Sequence, residues 1–371
     1  MKAAGIIFAN VQNEMLDELT RKRTTASLPF GGRYRLIDFA LSNLISADIV
    51  DVAVIAQKNY QSLMDHVGSG KDWDLSRRNG GLRVFPPFGS WKSDFLYSTR
   101  LESLKSITGF INKVKDDTLV LMDCDSVSVV DFEDVLKQHV DKHADITVVY
   151  QETEVEDVLK DHMSFEVNEE GRIIKGALKS EVGTHAKVGI NIWVVNRHLL
   201  ASLVDDAIAQ GYEHFEKDII LRNINSLNIF GYEYKGILLP ITTMENYFKN
   251  NMKLLEKETR DAIFEQDNHR IYTKVRDSAP TRYGSNTKVV NSFIAEGCEI
   301  EGTVINCILF RGVRVAKGTV IKNSILMQDT IVGTSCNLDH VITDKNVSIR
   351  DRNNLMGCEK VPYYLGKYTT V

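Results

Sequence analysis

The chain has 371 residues, 43% hydrophobic and 26% charged with only 6 Pro and 24 Gly, which excludes disordered, collagen-like and low-complexity classes and leaves room for two or three domains with their own cores. Lys plus Arg total 45 against 50 Asp plus Glu, a net charge of -5, so no general basicity is available to hold a nucleic acid and any phosphate site must be local. No apolar run approaches the roughly 18 residues of a spanning helix, Met1–Asn10 lacks a signal-peptide cleavage pattern, and the five cysteines form no C-x-x-C pair, so a cytoplasmic chain with reduced thiols and no membrane partner is expected.

In chain order, β-branched runs predict strands at Ala4–Phe8, Asp51–Ala56, Thr118–Met122, Ile146–Tyr150 and Gly189–Val195. Helical periodicity falls between several of them, at Arg35–Ile45, Phe95–Thr108 and Phe132–His143. This alternation predicts a mixed, mostly parallel sheet with helices on both faces. Ligands gather beyond the carboxyl ends of such strands, so the loops after Phe8 and Met122 are where chemistry is sought. Met244–Gln266 reads as one long polar helix, and Asp277–Asn286, with Pro280 and Gly284, as a linker.

From about Asn291 the period becomes six. Apolar or small residues recur at Ile294/Cys298, Ile300/Val304, Leu309/Val313, Val315/Thr319, Ile321/Ile325 and Met327/Ile331, and the spacing continues through Val341 and Val347. Strand signals this close leave no room for hairpins and predict a parallel β-helix, in which coils stack on a shared core. The expected division is 1–245, 246–290 and 291–371.

Asp123 and Asp125 form a D-x-D at a strand end, spaced to share a divalent cation; read alone, an aspartate pair capping a turn is the more economical account. Arg21, Lys22 and Arg23 precede the turn Gly31–Gly32, and Arg33 and Arg35 follow it, so both ends of one loop can converge on a phosphate; a solvated turn serves equally. His139 and His143 align on a helix face but lack a third ligand, which favours a solvated face. No G-x-S-x-G, Walker loop or G-x-G-x-x-G is present, so hydrolase, P-loop and dinucleotide readings have no support.

The stretch Leu19–Asn43 (L-T-R-K-R-T-T-A-S-L-P-F-G-G-R-Y-R-L-I-D-F-A-L-S-N) resembles the N-terminal signature of the ADP-glucose pyrophosphorylases, the glucose-1-phosphate adenylyltransferases of glycogen and starch synthesis. Tyr60–Gly81 and Tyr247–Leu255 resemble the same family, so with the hexapeptide tail the likeness runs over nearly the whole chain. It implies a Rossmann-like α/β nucleotidyltransferase domain followed by a left-handed parallel β-helix, and a reaction joining ATP and glucose 1-phosphate, with magnesium, into ADP-glucose and pyrophosphate.

Position by position, the family's pattern is broken where it would do chemistry. Its glycine-rich phosphate loop is replaced by Asn10, Val11, Gln12, Asn13, Glu14 and Met15, whose side chains crowd the approach to a triphosphate. Thr25 stands at its phosphate lysine, Tyr97–Glu102 replaces its G-T-A-D-A run, and no counterpart of its sugar-phosphate lysine occurs in Arg172–Glu181. Asp125 falls on one metal-binding aspartate, but Pro240 falls on the other. Lys22, Arg23 and Arg35 fall on basic positions the family uses for anionic effectors.

The resemblance thus implies a regulatory, catalytically degenerate subunit of the GlgD type. Such a subunit needs no cofactor of its own, meets magnesium only through a catalytic partner, and assembles with that partner into a heterotetramer. An active adenylyltransferase with an altered pocket is the alternative, and would need Asp123 or Glu102 as a replacement ligand. A hexapeptide acyltransferase, with His340 as its catalytic base, leaves the N-terminal signature unexplained.

Overall fold

A computed structural model of the chain describes residues 2–10, 16–87 and 99–371. Val11, Asn13 and Met15, and the first part of the helix expected at Phe95–Thr108, lie outside the described residues; the remainder of that helix is present as Arg100–Ser106.

The N-terminal domain is built on a nine-stranded sheet. Its strands are β1 (Ala3–Phe8), β2 (Asp51–Ile55), β3 (Gly81–Phe85), β4 (Thr118–Asp123), β5 (Ile146–Glu154), β6 (Ser164–Val167), β7 (Ile173–Ala177), β8 (His185–Asn196) and β9 (Ile229–Glu233). Four of them, β3, β2, β1 and β4, run parallel in that order. The long β8 pairs antiparallel with β4 and β6, and with β5, to which β9 adds in parallel. All six residues of β1 are buried, because helices cover both faces of a central parallel strand and leave no polar side to alternate with. Helix Leu36–Ser46 opens where the Arg35 amide donates to Asp38 Oδ2 at 3.0 Å, satisfying one of the orphan donors of a helix start.

The segment Met244–Gln266 is not one polar helix. Helix Met244–Met252 buries Tyr247, Phe248 and Asn251, a short turn follows at Lys253–Leu255, and Lys257–Phe264 restarts after Glu256 takes an extended conformation. The expected linker also holds structure: Arg282–Tyr283 pairs in parallel with Glu299–Ile300, so the first coil of the β-helix begins ahead of Asn291.

Three five-stranded parallel sheets form the walls of the left-handed β-helix. Asn291, Asn306 and Asn323 turn its corners with φ of 42°, 51° and 42°, a left-handed conformation that asparagine tolerates. Their amides link coil to coil, Asn291 to Asn306 at 3.0 Å, Asn306 to Asn323 at 3.3 Å and Asn323 to Asp339 at 2.9 Å. The six-residue period slips by one residue in successive coils. Val315 pairs with Val332 and Val332 with Ile349, one residue short of three hexapeptides per coil, so Val332 points inward and Ile331, expected in the core, is 46% exposed.

The core does not stop at the domain boundary. Ile308, Phe310, Ile325, Met327 and Ile342 of the β-helix belong to the same apolar cluster as Ile7, Phe39, Leu44 and Tyr247 of the N-terminal domain. Among the described residues no helix is long and apolar enough to cross a membrane.

Candidate functional site

Two places gather the residues singled out in the sequence: a crevice at the carboxyl ends of β1 and β4, and a cleft between the Gly31–Gly32 turn and the β-helix.

At the crevice, Asp123 ends β4 in register with Phe8 of β1. Asn10, two residues further on, accepts from the Gln57 amide at 2.8 Å and donates to the Lys58 carbonyl at 3.3 Å, so its side chain ties two loops together. Thr25 is buried in the short turn Thr25–Ser27, next to Ala26, whose amide donates to the Ala9 carbonyl at 3.0 Å. Asp125 is buried; Asn191 donates to its Oδ2 at 2.6 Å, and its Oδ1 has no hydrogen-bond partner among the described residues. Pro240 stands beside it: Leu239–Pro240 pairs with Ser126–Val127, and the Ile241 amide donates to the Asp125 carbonyl at 2.6 Å.

Asp123 is neither a turn cap nor paired with Asp125. Arg100, the first residue of helix Arg100–Ser106, donates through Nε to Asp123 Oδ1 at 3.2 Å and through Nη2 to Oδ2, and its Nη1 reaches Glu216. Burial pushes the Asp123 carboxyl up to about 6 even though Arg100 acts against that rise. Glu102 caps its own helix, its carboxylate accepting from the Thr99 amide at 3.2 Å. A divalent cation of the kind the resemblance implies does not fit these residues. One carboxylate of the D-x-D is held by a guanidinium, the position facing Asp125 offers no oxygen side chain, and no group of three His, Cys, Asp or Glu among the described residues is arranged around a metal.

The cleft is narrow and bordered by Arg33, Arg35, His66, Arg276, Arg311 and Lys345. A side chain at Gly32, where φ is 80°, would meet Phe293 at 3.3 Å and the Leu309 carbonyl at 3.6 Å, so the turn lies directly against the β-helix. Arg35 donates from Nη1 to the Ser62 carbonyl at 2.5 Å and hydroxyl at 3.1 Å. Burial lowers its pKa to about 10, with Asp38 opposing and Arg23 and Arg276 adding to the fall. His66 lies 2.5 Å from Asp38 and is still lowered, because burial outweighs the carboxylate. Arg311 Nε stands 2.5 Å from Glu296 Oε1, and its Nη2 is buried with no partner among the described residues. Lys345 is the most perturbed of the group: burial, then the fields of Arg35 and Arg23, bring it down to about 6 against the opposing pull of Asp344.

The basic residues before and after the turn do not converge on one spot, which corrects the expectation for Arg23. Arg23 is 3% exposed; its Nη2 donates to both oxygens of Asp344, at 2.6 and 2.7 Å, and its Nη1 meets Met327 Sδ at 3.8 Å, so it is buried away from the cleft. Arg21 pairs with Asp17 at the surface, and the exposed Lys22 ammonium lies 5.9 Å from the Tyr368 ring. Only Arg33 and Arg35 of the loop reach the cleft.

Both histidine readings also change. His139 faces inward and bonds the Thr147 hydroxyl at 2.8 Å, and burial lowers it to about 4 against the pull of Asp145, while His143 lies past the helix end with a left-handed φ of 47°. His340 turns a β-helix corner, 2.7 Å from Asp339. Arg100, Glu216, Arg276, Arg311 and Lys345 were not marked by any spacing in the sequence. His66 lay in the family-like Tyr60–Gly81, and Arg100 in Tyr97–Glu102, which replaces the family's G-T-A-D-A run.

Residues 4–175 match the family model described as nucleotidyl transferase, and residues 277–360 the GlmU-like C-terminal hexapeptide. The chain is 33% identical to the glycogen biosynthesis protein GlgD of Bacillus subtilis over 98% of its own length and 95% of that protein. It is 35% identical to GlgD of Geobacillus stearothermophilus, covering 86% of the chain and 83% of the relative. A glucose-1-phosphate adenylyltransferase of Clostridium botulinum is 32% identical over 86% of the chain and 83% of that enzyme.

Proposed function

This chain belongs to the glucose-1-phosphate adenylyltransferase family, and we propose that within it the protein serves glycogen biosynthesis as a regulatory, catalytically degenerate subunit. The observation that carries this is Pro240 beside Asp125: the pair of oxygen side chains that would share magnesium has one member left. On this reading the chain needs no cofactor, meets magnesium only through the catalytic subunit, works in the cytoplasm and has neither nucleic-acid nor membrane partners. The active-enzyme alternative needs Asp123 or Glu102 as a metal ligand; the first is bound by Arg100 and the second caps its helix. Pyrophosphate release by the chain alone, and again with a catalytic adenylyltransferase, tests it.

Regulation is assigned to the cleft. Arg33, Arg35, Arg276, Arg311 and Lys345 are drawn together there at a desolvation cost that a bound phosphate-bearing metabolite would offset. Of the positions expected from the sequence, Arg35 lines this site and Lys22 lies outside its lining. Arg311→Ala is expected to weaken inorganic phosphate binding about tenfold, the loss of one charge-assisted bond of about 1.5 kcal/mol. Calorimetry showing unchanged affinity would remove the cleft from consideration.

The cleft should also bind anions in a pH-dependent manner. Lys345, lowered to about 6 when the site is free, is mostly neutral near pH 7. An anion favours its charged form, so binding takes up a proton and affinity rises as pH falls toward about 6, then levels off once the lysine is already charged. Lys345→Met should flatten that profile.

Assembly is the third expectation. The exposed strands of the β-helix and its open end need covering, and a tetramer with the catalytic subunit would supply it. Sedimentation of a lasting 41.9 kDa monomer, alone and with the catalytic subunit, would contradict this.

A further inference from the structure

We propose that Arg100 is a built-in cation that takes the place of a divalent metal in the crevice, holding the D-x-D carboxylate Asp123 together with Glu216 so that the site excludes metal ions rather than merely binding them poorly. The inference rests on reading the crevice as a degenerate nucleotidyltransferase site, and it adds a cause that the missing oxygen at Pro240 does not supply.

Three separate parts of the chain build the arrangement. Arg100 opens its helix behind the Thr99 cap, Asp123 ends β4, and Glu216 comes from the single turn Phe215–Ile220. Asp123 is 1% exposed at its side chain, Glu216 19% and Arg100 24%, so the guanidinium is the element closing the carboxylates off from water. Its planar fork gives Nε and Nη2 to one carboxylate and Nη1 to the other, a two-sided match that a lysine cannot make. The Arg100 guanidinium carbon stands 5.6 Å from the centroid of the Trp193 ring, within cation–π range.

The charge balance favours this state. The buried Asp123 and the half-buried Glu216 share one guanidinium as their counter-charge, and Asp125 adds a third negative group to the field that Arg100 feels. A hydrated dication entering beside the guanidinium would meet like charge, and would have to displace donor hydrogens from both Asp123 oxygens before it could bind there.

The test is manganese binding, read by water-proton relaxation and by the thermal midpoint, on the whole chain. The wild type should bind no Mn2+ at the crevice at millimolar concentration. Arg100→Met, with the carboxylates released, should bind Mn2+ at least about tenfold more tightly than the wild type and melt higher in its presence. Asp123→Asn added to Arg100→Met should abolish both effects. If Arg100→Met alone does not fold, Arg100→Met/Glu216→Gln relieves one of the stranded carboxylates and carries the same measurement. Wild-type Mn2+ binding that Asp123→Asn removes, or a folded Arg100 variant that binds no better than wild type, overturns the proposal. Pyrophosphate release is a separate readout: a wild type that binds Mn2+ at the crevice yet releases no pyrophosphate fails this proposal and leaves the proposed function standing.

Discussion

Incubated with ATP, glucose 1-phosphate and magnesium, the purified chain should release no pyrophosphate above background, and Pro240→Asp should leave that unchanged. Metal stabilisation of the transferring phosphoryl group is worth several kcal/mol, and each 1.4 kcal/mol is about tenfold in rate. The chain departs from the family at that contribution and at others that act on the same transition state: Asn10 at the head of the phosphate loop is bonded to Gln57 and Lys58, Thr25 brings no charge, and Asp123 is occupied by Arg100. Groups that act as a unit are not restored singly. Placing a carboxylate at position 240 sets it beside Asp125 while Arg100 still holds Asp123, so one change should not rebuild the site. Turnover at ordinary enzyme rates of about 1–1,000 per second without a partner would refute the degenerate reading. A large gain from Pro240→Asp alone would show that the metal position was the single defect.

The largest effect on stability is expected at Asp344→Ala. Arg23 and Asp344 are both almost fully buried, and the pair joins the loop before the Gly31–Gly32 turn to the β-helix. Tyr364 also donates to Asp344 Oδ2 at 3.1 Å, and the Asp344 carboxylate accepts from the Lys345 amide at 2.6 Å. Removing one partner of a buried pair leaves the other charge unsolvated, at a cost of about 3–5 kcal/mol. Replacing both, as Arg23→Met with Asp344→Leu, should recover much of that loss, because the desolvation penalty then disappears from both sides. Urea unfolding of the single and double variants checks this. A single-variant loss below about 1 kcal/mol would mean that water reaches the pair. Since the apolar core runs across the same boundary, the two halves should unfold in one transition.

Much of the architecture could be read from local pattern. The buried run Ala3–Phe8, the strand Asp51–Ile55 and the coils after Asn291 all announce themselves, because the period of apolar residues reports which face of an element meets a core, and that period is a property of neighbours in the chain. Where the pattern misled, the cause was a small shift that periodicity does not register, as at Ile331, or an interior polar partner, as for His139 and Thr147. Asp125 and Pro240 were legible as a pair only through the family likeness, and the fold does bring their backbones together.

The sites depend on a different kind of information. Arg23 looked like an anion ligand beside Lys22 and Arg35; its Nη2 is held by both oxygens of Asp344, 321 residues away, and its Nη1 by Met327. Asp123 looked like half of a metal site until the fold set Arg100 and Glu216 on either side of it. Sequence by itself determined which residues can carry charge, the strands β1, β2, β4, β5 and β8, the hexapeptide coils and the family likeness, and it missed β3, β6, β7, β9 and the break in Met244–Gln266. Only the tertiary structure decided which charge meets which, because a buried ion must find its counter-ion wherever the packed core places one, and that placement has no trace in the spacing of residues along the chain.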